Sequence, residues 1–230
     1  MTTTKPKTRK LVIVGDSAFA EIAQEYFDVD TEYEVVGFSV ERAYLKQESL
    51  NGLPVCAFED IVTRFPPSEH KIFVAVVYTQ LNQLRARLAA ESKAKGYALA
   101  SYISPRCFVW RNAIIGEHCF IFEDNTIQPF VRIGDNCVLW SGNHIGHHSV
   151  IRNNCFIASH VCISGFCDIG ENTFMGVNAT IANNVNIGRD NWIGLGVTIT
   201  RNTPDNTLYK GMKFEAAPVG AREFFKIPAA

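Results

Sequence analysis

A repeat of six residues runs through the second half of the 230-residue chain and constrains its fold more than any other feature. Every sixth position from Ile103 carries a large aliphatic side chain, without insertion or slip, for seventeen consecutive repeats. The series consists of Ile103, Val109, Ile115, Ile121, Ile127, Ile133, Leu139, Ile145, Ile151, Ile157, Ile163, Ile169, Met175, Ile181, Ile187, Ile193 and Ile199. Because an α-helix has 3.6 residues per turn, this period excludes a helix and indicates a solenoid.

The position two residues before each aliphatic residue forms a second series, in which every side chain is small or compact. Five of the seven cysteines belong to it, namely Cys107, Cys119, Cys137, Cys155 and Cys167. One large and one small inward position per six residues are typical of short strands joined by tight corners around a narrow core. We therefore expect these cysteines to pack in that core rather than to form disulfides or bind metal.

A period of eighteen residues overlies the period of six. The segment Ile115-Gly-Glu-His-Cys119 returns in related form at 133–137, 151–155, 169–173 and 187–191. Three repeats of six therefore make one coil, and residues eighteen apart are expected to stack. Glycine recurs directly after the aliphatic residue at one corner, where we expect a backbone with positive φ.

The first hundred residues follow a different pattern, in which apolar runs alternate with helical spacing, as in a small parallel sheet covered by helices. Strands are predicted at 10–15, 34–38, 54–55, 71–77 and 97–103, and helices at 16–23 and 80–94. The predicted organisation is a disordered leader at 1–9, a nucleotide-sugar-binding α/β domain at 10–100, a β-helix at 101–206 and a capping loop at 207–230.

Ligands of such sheets bind beyond the carboxyl ends of the strands. After the first strand, the turn that opens the first helix offers backbone N–H groups suited to a phosphate. The candidate substrate-binding residues at these strand ends are Gly15, Asp16, Ser17, Ser39, Glu41 and Tyr78. The turn lacks the G-x-G-x-x-G pattern, so a plain structural turn and a dinucleotide site stand as alternatives to a nucleotide-sugar site.

Four of the six histidines lie within seventeen residues: His144, His147, His148 and His160. None occupies an inward position of the repeat, so we expect all four to face solvent or a neighbouring subunit. Imidazole is a natural general base for acyl transfer because its unperturbed pKa lies near neutrality.

The repeats resemble those of the hexapeptide-repeat acyltransferases, which implies a left-handed parallel β-helix and a homotrimer. The segment V-I-V-G-D-S-A-F-A at 12–20, followed by these repeats, resembles more narrowly the NeuD/PglD-like group. That group contains sialic-acid O-acetyltransferases and bacillosamine or perosamine N-acetyltransferases, which acylate nucleotide-linked or activated sugars. The resemblance implies an acyl-CoA-dependent enzyme of surface-glycan or lipopolysaccharide biosynthesis, with acetyl-CoA or another acyl-CoA as co-substrate and no metal.

The resemblance also implies individual residues. His147 matches the catalytic base of the family, with His148 where an acidic neighbour is common and His144 beside the substrate. Gly165 should lie one coil above His147, where its N–H would face the developing oxyanion. The CoA arm would follow Asn178, Gly194 and Gly196 on later coils.

Charge and hydropathy exclude other classes. With a net charge near −1, the chain has no basic field for nucleic acid. It has no apolar run of about 18 residues and no secretory signal, so we expect a cytoplasmic protein without membrane insertion. The histidine spacing does not fit the metal triad of a γ-class carbonic anhydrase. An O-acetyltransferase and a non-catalytic sugar-nucleotide-binding scaffold stand as alternatives, and the sequence fixes neither the sugar, its nucleotide nor the acyl chain.

Overall fold

The computed structural model describes residues 6–211 and 215–228, so residues 1–5 of the predicted leader and parts of the predicted capping loop lie outside the described residues. The first hundred residues form a sheet of order β3-β4-β2-β1-β5, parallel except for β3. Its strands are β1 Arg9–Val14, β2 Tyr33–Val40, β3 Ser49–Leu50, β4 Leu53–Ala57 and β5 His70–Val74. Its helices are α1 Ala18–Asp30, α2 Ile61–Arg64 and α3 Gln83–Ala94.

Several ends of these elements differ from the sequence prediction. Strand β5, for example, ends at Val74, three residues before the predicted end. Helix α3 begins three residues later than predicted, because Gln80, Leu81 and Asn82 adopt left-handed conformations with φ of 53°, 50° and 64°. The strand predicted at 97–103 is not a full strand of the α/β sheet. It contributes only an isolated bridge between Ile72 and Leu99. The chain then passes directly into the β-helix.

The β-helix consists of two-residue strands that follow one another every six residues, except that the last begins ten residues after the one before it. These are β6 Tyr102–Ile103, β7 Phe108–Val109, β8 Ile114–Ile115, β9 Phe120–Ile121, β10 Thr126–Ile127, β11 Arg132–Ile133, β12 Val138–Leu139, β13 His144–Ile145, β14 Val150–Ile151, β15 Phe156–Ile157, β16 Cys162–Ile163, β17 Asp168–Ile169, β18 Phe174–Met175, β19 Thr180–Ile181, β20 Asn186–Ile187, β21 Trp192–Ile193, β22 Thr198–Ile199 and β23 Leu208–Tyr209. A short helix α4, Ala221–Phe224, follows.

The strands form three parallel sheets, which are the three faces of a left-handed β-helix. The docking face, which packs against the α/β domain, contains β6, β9, β12, β15, β18, β21 and β23. The second face contains β7, β10, β13, β16, β19 and β22, and the third face contains β8, β11, β14, β17 and β20. Ile127 pairs with Ile145 and Ile145 with Ile163, which confirms the period of eighteen.

The interior contains the two predicted series of side chains. The aliphatic residues from Ile121 to Ile199 are buried, and all seven cysteines are free. The first coil differs, since Ile103 is 41% and Val109 is 36% exposed. These two residues are in the predicted register, but they lie at the open end of the solenoid, where no earlier coil covers them.

The prediction of positive φ at the corner glycines is wrong. Gly146 and Gly170, like the other glycines that directly follow a residue of the aliphatic series, do not have positive φ. A Cβ on either would lie 2.5 Å from a backbone carbon of the next coil, so glycine is needed there for close stacking. The left-handed position is instead the third residue after the aliphatic one, with φ near 60° at Asn136, Asn154 and Asn172.

A buried polar cluster joins the two domains. The guanidinium of Arg85, which is 1% exposed, donates hydrogen bonds to the carbonyls of Val74 (3.0 Å), Asn136 (2.8 Å) and His118 (3.0 Å). His118 Nε2 accepts a hydrogen bond from the N–H of Val74 at 2.9 Å. Burial lowers the pKa of Arg85 to about 10, and burial together with the nearby Arg85 charge holds the pKa of His118 well below its usual value. The polar cluster therefore fixes the α/β sheet against the β-helix.

Candidate active site

His147 and His148 lie at the corner that connects β13 of the second face to β14 of the third, and both side chains are exposed. The backbone N–H of His147 donates to Oε1 of Gln128 at 2.9 Å. The imidazole of His147 lies over Gly165, one coil further along. A Cβ on Gly165 would lie 2.8 Å from Cε1 of His147, so only glycine leaves room for the ring.

Gly165 lies where the sequence predicts it, but its amide does not have the predicted freedom. The N–H of Gly165 donates to Oδ1 of Asn183 at 2.9 Å. An amide N–H engaged in this way would have to leave or share Asn183 before it could donate to a developing oxyanion, as the predicted role of Gly165 requires. The periodicity predicts the stacking of Gly165 on His147, but it does not predict that the side chain of Asn183, on the following coil, binds the Gly165 amide.

The two adjacent histidines contact each other through their ring nitrogens. Nδ1 of His147 lies 3.1 Å from Nδ1 of His148. The ring of His148 is stacked between Phe130 and Phe166, with centroid distances of 4.5 Å and 4.8 Å. Each of these three stacked side chains follows the previous one after eighteen residues, so they form a ladder along the corner.

The other two histidines lie apart from this pair. His144 is half-buried on β13, where it pairs with Thr126 and Cys162 on the second face. His160 is exposed at the corner that connects β15 of the docking face to β16 of the second face. A Cβ on Gly142 would lie 2.6 Å from Nδ1 of His160. The described hydrogen bonds connect neither of them to His147.

A cavity of about 340 Å³, the front cavity, opens at the carboxyl ends of the α/β strands. It is lined by Gly15, Asp16, Ser17 and Glu41. Ser17 is the N-cap of α1 but its side chain makes no capping hydrogen bond, so the helix terminus faces the cavity. Glu41 accepts hydrogen bonds from Arg87 at 3.0 and 3.1 Å, and these bonds raise the pKa of Arg87.

Two predicted residues of this group lie elsewhere. Ser39 is fully buried within β2, and its Oγ has no hydrogen-bond partner among the described residues, so it does not face a ligand. The cavity is lined instead by Val40 and Glu41, which follow Ser39 where β2 ends. Tyr78 turns away from the front cavity and lies against the docking face.

Tyr78 lines a second cavity of about 510 Å³, the aromatic cavity, which the sequence reasoning missed. Its wall is a stack of Phe156, Phe174 and Trp192, in which Phe174 and Trp192 lie 3.9 Å apart with planes inclined by 15°. Val77 lines both cavities, so they are neighbours. The sequence contains a pattern that predicts this stack, because the three aromatic residues occupy one outward position of the repeat at intervals of eighteen residues.

The residues assigned to CoA lie on the last coils, at the corners between the docking face and the second face. Asn178 is exposed with φ of 59°, and Gly196 is exposed with φ of 65° and open space around its Cα. Gly194 is buried and lines the aromatic cavity. A Cβ on Gly194 would lie 2.9 Å from the amide nitrogen of Gly211, so this glycine is required by packing.

The geometry also bears on metal binding and on membrane insertion. Within residues 6–211 and 215–228, no group of three or more His, Cys, Asp or Glu side chains is arranged to hold a metal ion. None of the helices described is long and apolar enough to cross a membrane.

Comparison with known proteins adds two kinds of likeness. Residues 112–147 and 130–165 match the family model for the bacterial transferase hexapeptide (six repeats). Residues 168–201 match the model for the hexapeptide repeat of succinyl-transferase. Among curated protein sequences, no significant match was found.

Solved structures match nearly the whole chain. The acetyltransferase domain of PglB from Neisseria gonorrhoeae is 25% identical with a TM-score of 0.80, covering 89% of this chain and 97% of that one. A perosamine N-acetyltransferase from Caulobacter crescentus, solved with CoA and GDP-perosamine, is 23% identical with a TM-score of 0.78, covering 88% and 93%. WeeI from Acinetobacter baumannii has the same fold at 17% identity and a TM-score of 0.66, covering 89% and 97%. Its repeats match hexapeptide transferase models over residues 112–165 and 168–201, and its two-domain fold is similar to that of an acetyltransferase domain, which supports an acyltransferase that carries hexapeptide repeats.

Proposed function

We propose that the protein transfers an acyl group, most simply acetyl, from acyl-CoA to the amine of a nucleotide-linked amino sugar. The observation that carries this proposal is the exposed imidazole of His147 over Gly165, on a chain whose N-terminal α/β domain offers an open helix terminus to a phosphate. The likeness to the PglB acetyltransferase domain supports acetyl transfer. The complex of the perosamine enzyme contains CoA and a nucleotide-linked amino sugar, and that enzyme shares the fold.

His147 is the general base of this proposal. Its Nε2 takes a proton from the acceptor amine as the nitrogen attacks the thioester carbon. Collapse of the tetrahedral intermediate breaks the carbon–sulfur bond and releases CoA, whose thiolate takes up the proton from the imidazolium. The N–H of Gly165, one coil further along, is the proposed donor to the oxyanion once its hydrogen bond to Asn183 is displaced or shared.

The front cavity is the proposed site of the nucleotide. The N-terminus of α1, a helix of 13 residues, presents backbone N–H groups and a positive dipole end to the pyrophosphate. Asp16 and Glu41 lie on the same wall, where their carboxylates can accept hydrogen bonds from ribose or base. Asn178 and Gly196, on exposed corners of later coils, are the proposed contacts of CoA, and Gly194 lies two residues before Gly196 at the same corner.

The proposed enzyme is a cytoplasmic homotrimer, because acyl-CoA is available in that compartment and because an exposed histidine corner needs a second wall to exclude water. In this arrangement the histidine corner of one protomer faces a neighbouring protomer. Light scattering of the purified protein is expected to give three times the chain mass of 25.6 kDa. A stable monomer at working concentrations would contradict the shared site.

A substrate screen tests the function. The protein is incubated with acetyl-CoA and a panel of UDP-, dTDP- and GDP-linked amino sugars, each paired with its hydroxyl counterpart, and free thiol is measured. We expect thiol release that depends on one amino sugar and on the protein. Turnover only with a hydroxyl counterpart would indicate O-acylation, and no turnover with any acceptor would contradict the proposed function.

A further inference from the structure

The contact between His147 and His148 constrains where their hydrogens lie. The two Nδ1 atoms are 3.1 Å apart and the ring planes are inclined by 87°, so each nitrogen lies near the edge of the other ring. A neutral imidazole carries hydrogen on one nitrogen and a lone pair on the other. A hydrogen bond at this distance therefore requires one Nδ1 to donate and the other to accept.

We propose that His148 is a positioning residue that accepts a hydrogen bond from Nδ1–H of His147 and thereby leaves Nε2 of His147 free to act as the base. This inference rests on the proposed function and deepens it. Nε2 of His147 would lie 3.0 Å from a Cβ on Gly165, and it takes part in no hydrogen bond of the described residues. It is the nitrogen that an acceptor amine can reach.

His148 is itself held by the ladder of aromatic rings. Phe130 stacks on one face with planes inclined by 27°, and Phe166 stacks on the other with planes inclined by 18°. Rotation of the His148 ring about its Cα–Cβ bond would break both contacts. The stack therefore fixes the plane of the His148 ring before any substrate binds, and in the observed orientation of the ring its Nδ1 lies beside His147.

The backbone at this ladder points to a function beyond packing. Phe130 and Phe166 have φ of 66° and 58°, and they are 54% and 52% exposed. A bulky side chain is disfavoured in this left-handed region, where asparagine is tolerated and where Asn136, Asn154 and Asn184 occupy equivalent corner positions. Strained residues of this kind cluster at functional sites. Because both phenylalanines are exposed, burial in a core does not offset the strain at these two positions. Both of them do stack on His148.

The proton balance follows from this arrangement. When Nε2 of His147 takes the proton of the acceptor amine, the imidazolium keeps Nδ1–H donated to the lone pair of His148. In a catalytic triad a carboxylate has this role, as it fixes the tautomer and stabilises the imidazolium. None of the hydrogen bonds described here joins a carboxylate to either ring, so a neutral histidine takes the position of the acid.

Nitrogen NMR tests the tautomer without any substrate. The full-length protein is labelled with ¹⁵N-histidine and examined near pH 8.5, where imidazoles are neutral, and the His147 signals are assigned from the His147→Asn variant. We expect hydrogen on Nδ1 of His147. In His148→Phe, which preserves the stack but has no ring nitrogen, the hydrogen should move to Nε2 or be shared. In His148→Asn, whose amide oxygen can replace the Nδ1 acceptor, it should stay on Nδ1. Hydrogen on Nε2 in the wild type, or no change in His148→Phe, would overturn the proposal.

Kinetics give the second readout. We expect His148→Phe to lower kcat at least about tenfold while KM for both substrates changes less than about twofold, because the substrate contacts remain and the base is misdirected. His148→Asn should recover most of kcat. Equal activity of the two variants would overturn the positioning role. If the wild type shows no acyl transfer at all, the proposed function fails, but the NMR result still decides the tautomer.

Discussion

The interior of the β-helix and the cluster that joins it to the α/β domain are both buried, but they are stabilised in opposite ways. In the interior, Ile127, Ile145 and Ile163 are fully buried and stack on one another at intervals of eighteen residues. In the polar cluster, one charged side chain, Arg85, satisfies carbonyls from both domains. The interior is repetitive and mostly apolar, whereas the polar cluster is unique. Apolar contacts are spread over every coil, while most hydrogen bonds of the polar cluster are donated by a single residue.

The largest expected effect is a charge placed in the interior. Ile163→Asp should prevent folding, because an unpaired carboxylate costs several kcal/mol there, which is comparable to the roughly 5–15 kcal/mol that stabilises a domain. Circular dichroism and solubility measure the result. The matched control is Cys162→Asp, since Cys162 precedes Ile163 on β16 but points outward and is half-buried. We expect this control to fold, and a cooperatively folded Ile163→Asp variant would show that the aliphatic series does not line the core.

The next effect concerns the polar cluster. Arg85→Met preserves length but leaves the carbonyls of Val74, Asn136 and His118 without their donor, so the free energy of unfolding should fall by about 2–4 kcal/mol. Because the two domains would lose their common anchor, denaturant unfolding should also separate into two transitions. The control is Arg87→Met on the same helix, whose exposed ion pairs should contribute less than about 1 kcal/mol. Equal losses in both variants would contradict the anchoring role.

The pH dependence of stability sharpens the comparison further. Burial and Arg85 depress the pKa of His118, so the folded protein holds this residue neutral. The unfolded chain takes up a proton below about pH 6.5, and stability therefore falls as the pH falls from there towards the depressed pKa. The slope is at most about 1.4 kcal/mol per pH unit for one proton. Chemical denaturation between pH 7.5 and 5 should show this slope, and it should be absent in His118→Asn. An unchanged slope in that variant would assign the effect to other groups.

Thiol labelling gives the smallest expected effect. Cys56 and Cys162 should react first in the native protein, since both are half-buried outside the core of the β-helix. Cys107 is also half-buried, which the sequence did not predict, but burial raises its pKa to about 11 and should slow it. Burial also raises the pKa of Cys137 well above its usual value. Rapid labelling of Cys137 before unfolding would contradict the register of the small series.

The repeat made most of the fold predictable. Ile145 and Cys155 could be assigned to the core from their spacing alone, because every coil repeats the same local environment. The spacing did not predict the exposure of Ile103, which depends on the end of the solenoid. It also did not reveal Arg85, because the contacts of that residue join distant parts of the chain and leave no period in the sequence.

The site was predictable to a similar degree. The outward position of His147 and its stacking on Gly165 follow from the repeat, and the structure has both. The engagement of the Gly165 amide by Asn183 and the burial of Ser39 do not follow from it. Both depend on the direction of one side chain, which a strand pattern fixes only when the register is known to the residue. The roles of these residues in catalysis stay predictions.

Turnover by His147→Asn tests the central claim most directly. Asparagine is polar and smaller than imidazole, and the position is exposed, so stability should change by less than about 1 kcal/mol. With acetyl-CoA and the amino-sugar nucleotide identified in the screen, kcat should fall by roughly 10²–10⁴, the range for a lost general base. His144→Asn and His160→Asn are the comparison variants, and each should cost less. Near-wild-type turnover by a folded His147→Asn protein would contradict the assignment of this histidine as the base.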